Sequence, residues 1–448
     1  MSYKGVILVG GPSVGTRFRP LSMDYPKPLF PIAGSPMIYH HLKALANIHG
    51  MKEILIVGFF DQSLFDRFLT EAQIEFPYIQ IRYLREYQSM GTAGGIHHFR
   101  DEILRGNPDA FYVLNGDIAC SFPLTKMLYT HKKSGGVATI LSIREDSKRA
   151  SRYGCIVVDP TTNKVKHFVE KPTTFISELV SCGVYLFSKE LFVHINEAME
   201  IRNAKDAEYG FDLAQFPQNQ SLAASNAALS HRTAERVQFE QDVMPVLTEK
   251  KVLYAHIMNE DDFWMPIKTG SSTITANRQY LQYFLQAHPR RLSTPANTPL
   301  MKSPAQTPVG LGFGSGPEIV APVFIHSTAV IHPSAKIGPN VFIGPRALIG
   351  RGVRIRDALI LDGVEVKNES CILNAVVGWE SKIGQWTRIE GSTQQEQNEG
   401  EATRKGLKIP SAVILGKGVT VVDEVIIRDC IVLPHKELRS SFQREILM

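Results

Sequence analysis

Lys4-Gly5-Val6-Ile7-Leu8-Val9-Gly10-Gly11-Pro12-Ser13-Val14-Gly15-Thr16-Arg17 opens with an apolar run of strand length, stops at two glycines, and continues into a third glycine, a threonine and an arginine. A strand that feeds a glycine-rich turn lets backbone N–H groups approach a phosphate, an approach that a Cβ would block. Gly10, Gly11, Gly15 and Thr16 are therefore candidate nucleotide-binding residues. No Lys-Ser/Thr pair follows the glycines at P-loop spacing, so the turn is of another kind. Arg17, Arg19 and Lys27 add fixed positive charge suited to a pentavalent phosphorus centre or a pyrophosphate leaving group. Taken alone, the stretch also reads as an ordinary glycine turn at a strand end.

Working outward, strand-like runs at 5–9, 53–58 and 80–84 alternate with helical runs at 36–48 and 64–76. Such alternation predicts βαβ units, a Rossmann-like α/β domain and a mainly parallel sheet. Further strand candidates at 110–114, 138–143, 155–159 and 183–187 extend this domain over residues 1–287, with a polar insertion at about 199–236. Residues 288–321 are rich in Pro, Gly, Ser and Thr and read as a linker. The linker holds four Ser/Thr-Pro pairs, at Thr294, Thr298, Ser303 and Thr307, which have the form of proline-directed phosphorylation sites and are also common in plain linkers.

Beyond the linker, Ile325, Ile331, Ile337, Ile343, Ile349, Ile355 and Leu361 stand six residues apart. A six-residue aliphatic period predicts a left-handed parallel β-helix over 322–448, each triangular coil stacking its aliphatic corners on the last. The register blurs after Leu361, a polar segment at about 392–408 interrupts it, and it resumes around 412–422.

Composition agrees with a folded multidomain protein: 448 residues, 44% hydrophobic and 21% charged. A net charge of +5 without a dense basic run argues against a nucleic-acid groove. The odd, widely spaced Cys120, Cys155, Cys182, Cys371 and Cys430 read as buried free thiols of a reducing compartment. No signal-like or membrane-length apolar run is present, so a cytoplasmic protein without membrane contact is expected.

Several motifs then follow in order. They are Arg-Phe-Arg-Pro-Leu from Arg17, Pro26-Lys27-Pro28, Glu86 before Gly91-Thr92-Ala93-Gly94, Asn115-Gly116-Asp117, Tyr153-Gly154, Glu170-Lys171-Pro172 and Ser181-Cys182-Gly183-Val184-Tyr185. Singly, each is an ordinary turn or loop end. In this order they resemble the sugar-1-phosphate nucleotidyltransferases, and within them the mannose-1-phosphate guanylyltransferase family. The resemblance implies attack of a sugar-1-phosphate oxygen on the α-phosphorus of a nucleoside triphosphate, with pyrophosphate leaving. By the same resemblance Arg17 and Lys27 are the catalytic candidates. Glu86, Gly91 and Thr92 lie against the base, Gly154, Glu170, Lys171 and Ser181 hold the sugar phosphate, and Asp117 binds a catalytic Mg²⁺.

Three positions depart from the active pattern. Pro266 in Phe263-Trp264-Met265-Pro266 occupies the place of the second metal carboxylate, and proline binds no metal. Three residues rather than one separate Gly11 from Gly15, and Ser181 replaces the usual asparagine. These departures, with Leu433-Pro434-His435-Lys436, are similar to the alpha-subunit branch of the family. That branch implies a regulatory role: binding GDP-mannose, pairing with a catalytic beta subunit paralogue in a homo- or hetero-oligomer, and feedback on GDP-mannose synthesis. The alternatives are a working enzyme using GTP, mannose 1-phosphate and Mg²⁺, and a translation-factor-like scaffold that shares the two-domain plan and binds no GDP-mannose.

Overall fold

The computed structural model describes residues 1–11, 16–88, 90–213, 236–300, 316–392, 403–404, 407–408 and 411–448. Gly15, residues 214–235 of the expected insertion, 301–315 of the expected linker with Ser303 and Thr307, and most of 392–408 lie outside the described residues. The chain forms two compact units, one of 1–12 with 38–264 and the other of 13–37 with 265–448.

In the first unit, β1 (Tyr3–Gly10) is buried along most of its length and is paired in parallel by β2 (Met51–Gly58) and β4 (Ala110–Asn115). Strand β3 (Gln80–Arg85) continues the parallel half beside β2. The helices α1 (Met37–Ala46), α2 (Asp66–Glu75) and α3 (Gly91–His98) separate these strands in sequence, as parallel connections require. A Cβ at Gly5 would meet Leu45 Cδ1 at 2.7 Å, so α1 lies close upon β1. The rest of the sheet is mixed. β8 (Leu179–Phe187) runs antiparallel to β4, to β5 (Ala138–Arg144) and to β6 (Gly154–Val158). β7 (Val165–Glu170) edges β6, and β9 (Leu253–Ile257) pairs in parallel with β5. The nine strands run β7-β6-β8-β4-β1-β2-β3, with β5 and β9 branching from β8. Strands β7 and β9 carry too little alternation to stand out in the sequence. The helix α4 (Leu191–Leu213) runs into the region expected to be a polar insertion.

The second unit is built on a parallel β-helix with three strand faces. On one face the stacked residues are Ile331, Ile349, Val366, Ile383, Val421 and Leu438. On another they are Ile325, Ile343, Ile360, Val377, Leu415 and Val432. This corrects the sequence reading at one place: the residue that stacks on Ile343 is Ile360, and Leu361 is one step past it. The cause is local. Asp357, Asn374 and Asp429 adopt φ of 49°, 48° and 48°, and each turns a corner within a five-residue step. Left-handed φ also occurs at six-residue corners such as Arg346, Glu369 and Glu380, so the conformation turns the corner and the shorter step, one residue fewer between stacked aliphatics, breaks the sixfold period. The coil therefore shortens from 18 residues (Ile331 to Ile349) to 17 (Ile349 to Val366), which is why the sixfold register blurs.

Part of the expected linker is structural. Ser293 N–H donates to Val323 O at 2.8 Å, Ser293 Oγ accepts from Ile325 N–H at 2.8 Å, and Ile331 N–H donates to Pro299 O at 3.2 Å. Residues 293–299 thus add backbone hydrogen bonds at the edge of the first coil. Thr298 is buried and donates its hydroxyl to Thr294 O at 2.7 Å, whereas Thr294 is exposed. All five cysteines are free thiols, four of them buried. Among the described residues no helix is long and apolar enough to cross a membrane.

Candidate functional site

At the end of β1, Gly10 has φ +66°, and its carbonyl accepts the Phe59 N–H at 2.8 Å. A Cβ there would meet nothing within 4 Å, so glycine is required by conformation rather than by space. Gly11 is buried beside Phe59, whose Cβ lies 2.6 Å from where a Gly11 Cβ would stand. Glu86 follows β3, and its N–H donates to Gly58 O at 2.8 Å, so the β1 and β2 turns and Glu86 form one set. The Glu86 side chain is 8% exposed and lies against α3, where a Cβ on Gly95 would collide with Oε1. Burial pushes its carboxyl up to about 7.

Gly91 and Thr92, expected to face a base, also have partners inside the chain. Gly91 has φ +78°, and a Cβ there would strike the Val237 carbonyl. That carbonyl accepts from Ala93 N–H at 3.0 Å and Gly94 N–H at 3.1 Å, while Thr92 Oγ1 accepts from Phe239 N–H at 3.0 Å. Residues 237–239 therefore cap the N-terminus of α3.

The sugar-phosphate candidates gather on β6, β7 and β8. Glu170 pairs with Gly154 across the strands, and its Oε2 lies 2.9 Å from where a Gly154 Cβ would stand. Lys171 has φ 47°, donates its N–H to Tyr153 O at 3.1 Å, and pairs through Nζ with Glu170 Oε1 at 2.5 Å. Ser181 is 8% exposed, and its Oγ accepts from Gly183 N–H at 3.3 Å. The pairing of β8 with β5 breaks between Ser181 and Tyr185, and the Cys182 carbonyl in that break accepts Trp264 Nε1–H at 2.7 Å. Trp264 meets the edge of Tyr153 at 5.1 Å, so the tryptophan of the altered metal segment is a fixed wall.

Glu240 escapes sequence reading. Tyr185 O–H donates to its Oε1 at 2.8 Å, and its carboxyl is raised above the ordinary value, first by burial. The charges of Glu170 and Lys171 act on it as well, so Ser181, Tyr185, Glu240, Glu170 and Lys171 make one polar cluster. Nothing near Phe239-Glu240 in the sequence marks it, because its partners lie 55 or more residues away.

In the second unit, Thr16–Phe18 and Lys27–Leu29 are 3-10 turns. Arg17 and Arg19 are exposed, and Lys27 Nζ stands 5.7 Å from the centroid of buried Phe18. Pro266 ends a short strand, Trp264–Pro266, and Thr269 then caps α5 (Gly270–Ala287) with a reciprocal Thr269/Ser272 capping box.

A nucleotidyl transferase family model matches residues 4–283, and a model described as the GMPPB C-terminal domain matches 319–447. A Danio rerio protein named mannose-1-phosphate guanylyltransferase regulatory subunit alpha-A is 44% identical, over 99% of this chain and all of its own. The human regulatory subunit alpha is 41% identical over the same shares. A Schizosaccharomyces pombe protein named probable mannose-1-phosphate guanyltransferase is 38% identical over the whole of both chains. The chain belongs to the mannose-1-phosphate guanylyltransferase family.

The magnesium ion implied by the sequence resemblance would take Asp117, partly buried just beyond β4, as one carboxylate ligand. Pro266 supplies none. Asp262, the nearest replacement in sequence, already accepts from Ser121 Oγ–H at 2.7 Å and Asn259 N–H at 3.1 Å. Turning it to a metal would leave both donors without it. Among the described residues no group of three or more His, Cys, Asp or Glu could hold a metal. With proline at 266 and Asp262 held by Ser121 and Asn259, the described residues do not fit a two-carboxylate magnesium centre.

Proposed function

We propose that this chain binds GDP-mannose and controls its synthesis by a catalytic paralogue, rather than turning over GTP and mannose 1-phosphate itself. The observation that carries this reading is Pro266 at the metal-carboxylate position, with Asp262 committed to Ser121 and Asn259. The binding parts are retained. A carboxylate at Glu86 accepts from two adjacent donors, which the guanine edge presents and the adenine edge does not. By the family resemblance Arg17 and Lys27 are the cations for the diphosphate, Lys171 and Ser181 donate to the sugar phosphate, and the Glu170 carboxylate accepts from sugar hydroxyls. Regulation requires that GDP-mannose bind one assembly state better than another, because equal affinity shifts nothing. The names of the zebrafish and human relatives agree with this role.

The second reading is a working guanylyltransferase, favoured by the retained Asp117, Arg17 and Lys27 and by the name of the fission-yeast relative. One experiment separates the two. The purified chain is titrated with GDP-mannose by calorimetry and assayed for pyrophosphate release from GTP and mannose 1-phosphate with Mg²⁺. Binding without turnover is expected. Turnover on the order of 1–1000 per second would overturn the regulatory reading. Absence of both GDP-mannose binding and turnover would overturn both and favour a scaffold. Pyrophosphate release that appears in Pro266→Asp with two residues of 12–14 deleted would tie the loss of chemistry to these departures.

A further inference from the structure

Within the second unit, the segment that carries Arg17 and Lys27 is bound to the β-helix by an unbroken row of rings. Lys27 Nζ lies over Phe18 at 5.7 Å, and Phe18 meets the edge of Phe30 at 5.3 Å. Phe30 meets the edge of Trp379 at 5.8 Å, and Trp379 also lies against Tyr25 at 5.0 Å. Phe18 and Phe30 are 0% and 1% exposed, so neither ring can shift without displacing its neighbours. Trp379 belongs to the solenoid: it follows Val377 of a stacked rung, and its carbonyl accepts the Gly418 N–H of the next coil at 2.7 Å.

The far end of the segment is held as firmly. Gly34, at φ +88°, leaves room that the Phe324 ring fills, and Phe324 stacks on Phe342 of the next coil at 5.8 Å. Ala33 N–H donates to Asn277 Oδ1 at 3.0 Å, and Asn277 Nδ2 donates to Asn340 O of the solenoid at 3.3 Å.

We propose that Trp379 of the β-helix is a positioning residue for the Lys27 ammonium, so that nucleotide affinity is set in part by the solenoid. This rests on the reading above that Lys27 meets the ligand's phosphates. The physical reason is distance. An ammonium steered by a ring face stands where the ring stands, and its attraction for a phosphate falls as the separation grows. Truncating Trp379 leaves Phe30 and Tyr25 without their common partner, Phe30 relaxes into the gap, and Phe18 and the ammonium follow. Coupling is reciprocal in free energy, so a ligand on Lys27 in turn stabilises the rung that carries Trp379.

The test uses the full chain and GDP-mannose calorimetry, with GTP as a second ligand and thermal unfolding recorded for every variant. Trp379→Ala is expected to weaken binding on the order of tenfold, while Trp379→Phe, which keeps a ring, stays within about threefold. Trp386→Ala, at a 61% exposed corner of the same solenoid, should bind as wild type. The double variant Trp379→Ala/Lys27→Ala should bind no more weakly than Lys27→Ala alone, because a positioning residue has nothing left to position. Additive losses, or undiminished affinity in Trp379→Ala beside a weakened Lys27→Ala, would overturn the proposal and leave the ligand reading standing. Undiminished affinity in Lys27→Ala would remove Lys27 from the phosphate site and the proposal with it. A wild-type chain that binds neither ligand would overturn the ligand reading and everything built on it.

Discussion

The β-helix and the nine-stranded sheet bury aliphatic residues with equal thoroughness but specify themselves in opposite ways. In the solenoid each residue's duty repeats one coil later: Ile331, Ile349, Val366 and Ile383 do the same work at successive levels. In the sheet no duty repeats. Glu86, Val237 and Glu240 are each used once, by partners far away in sequence. Repetition makes the solenoid a sum of neighbour terms, so damage there should grow rung by rung, whereas damage in the sheet should be specific to a contact.

The largest effect is expected at the solenoid axis. Ile349 is 0% exposed, and Ile349→Ala should cost about 2–5 kcal/mol, read as a lower denaturation midpoint of the second unit. Adding Val366→Ala on the next rung should cost less than the two separate losses together, because the contact the two share is lost only once; simple additivity would break the neighbour picture.

Gly91→Ala tests the sheet's contrasting logic. The substitution imposes φ +78° on a side-chain residue and pushes the Val237 carbonyl off Ala93 and Gly94. A loss of about 1–3 kcal/mol is expected in the first unit alone, with the second unit's transition unmoved.

A smaller effect belongs to the pentad corner. Asp357 combines φ 49° with acceptance from Arg278 at 2.8 Å and Asn340 at 2.9 Å. Asp357→Ala should cost about 1–2 kcal/mol and Asp357→Gly less, since glycine keeps the corner and loses only the contacts. Equal losses would show that the contacts, not the conformation, hold it.

The effect most telling for ligand binding is at Glu86. Its folded value of about 7 exceeds the ordinary 4.5, so its cost to the fold is absent below about 4.5 and complete above about 7. Nucleotide affinity should run the other way, tightening as pH rises through about 7, because only the ionised carboxylate accepts both donors of the base. In Glu86→Gln both dependences should flatten. A wild-type affinity that stays constant from pH 6 to 8 would remove Glu86 from base recognition.

The sequence by itself determined what a short window of backbone can encode. The strand that ends at Gly10, the alternation that predicts β1 to β3, the hexads from Ile325 to Ile355 and the proline at 266 are all local, and they carried the family resemblance with them. Tertiary structure decided what depends on convergence. It brought Glu240 to Glu170 and Lys171, gave the α3 N-terminus to Val237, replaced Leu361 by Ile360 on the stack, and bound the Arg17–Lys27 segment to Trp379. The physical reason is that periodic burial is repeated within a few residues along the chain, whereas a partner across a sheet or on another coil is chosen by strand order and register, which no single window contains.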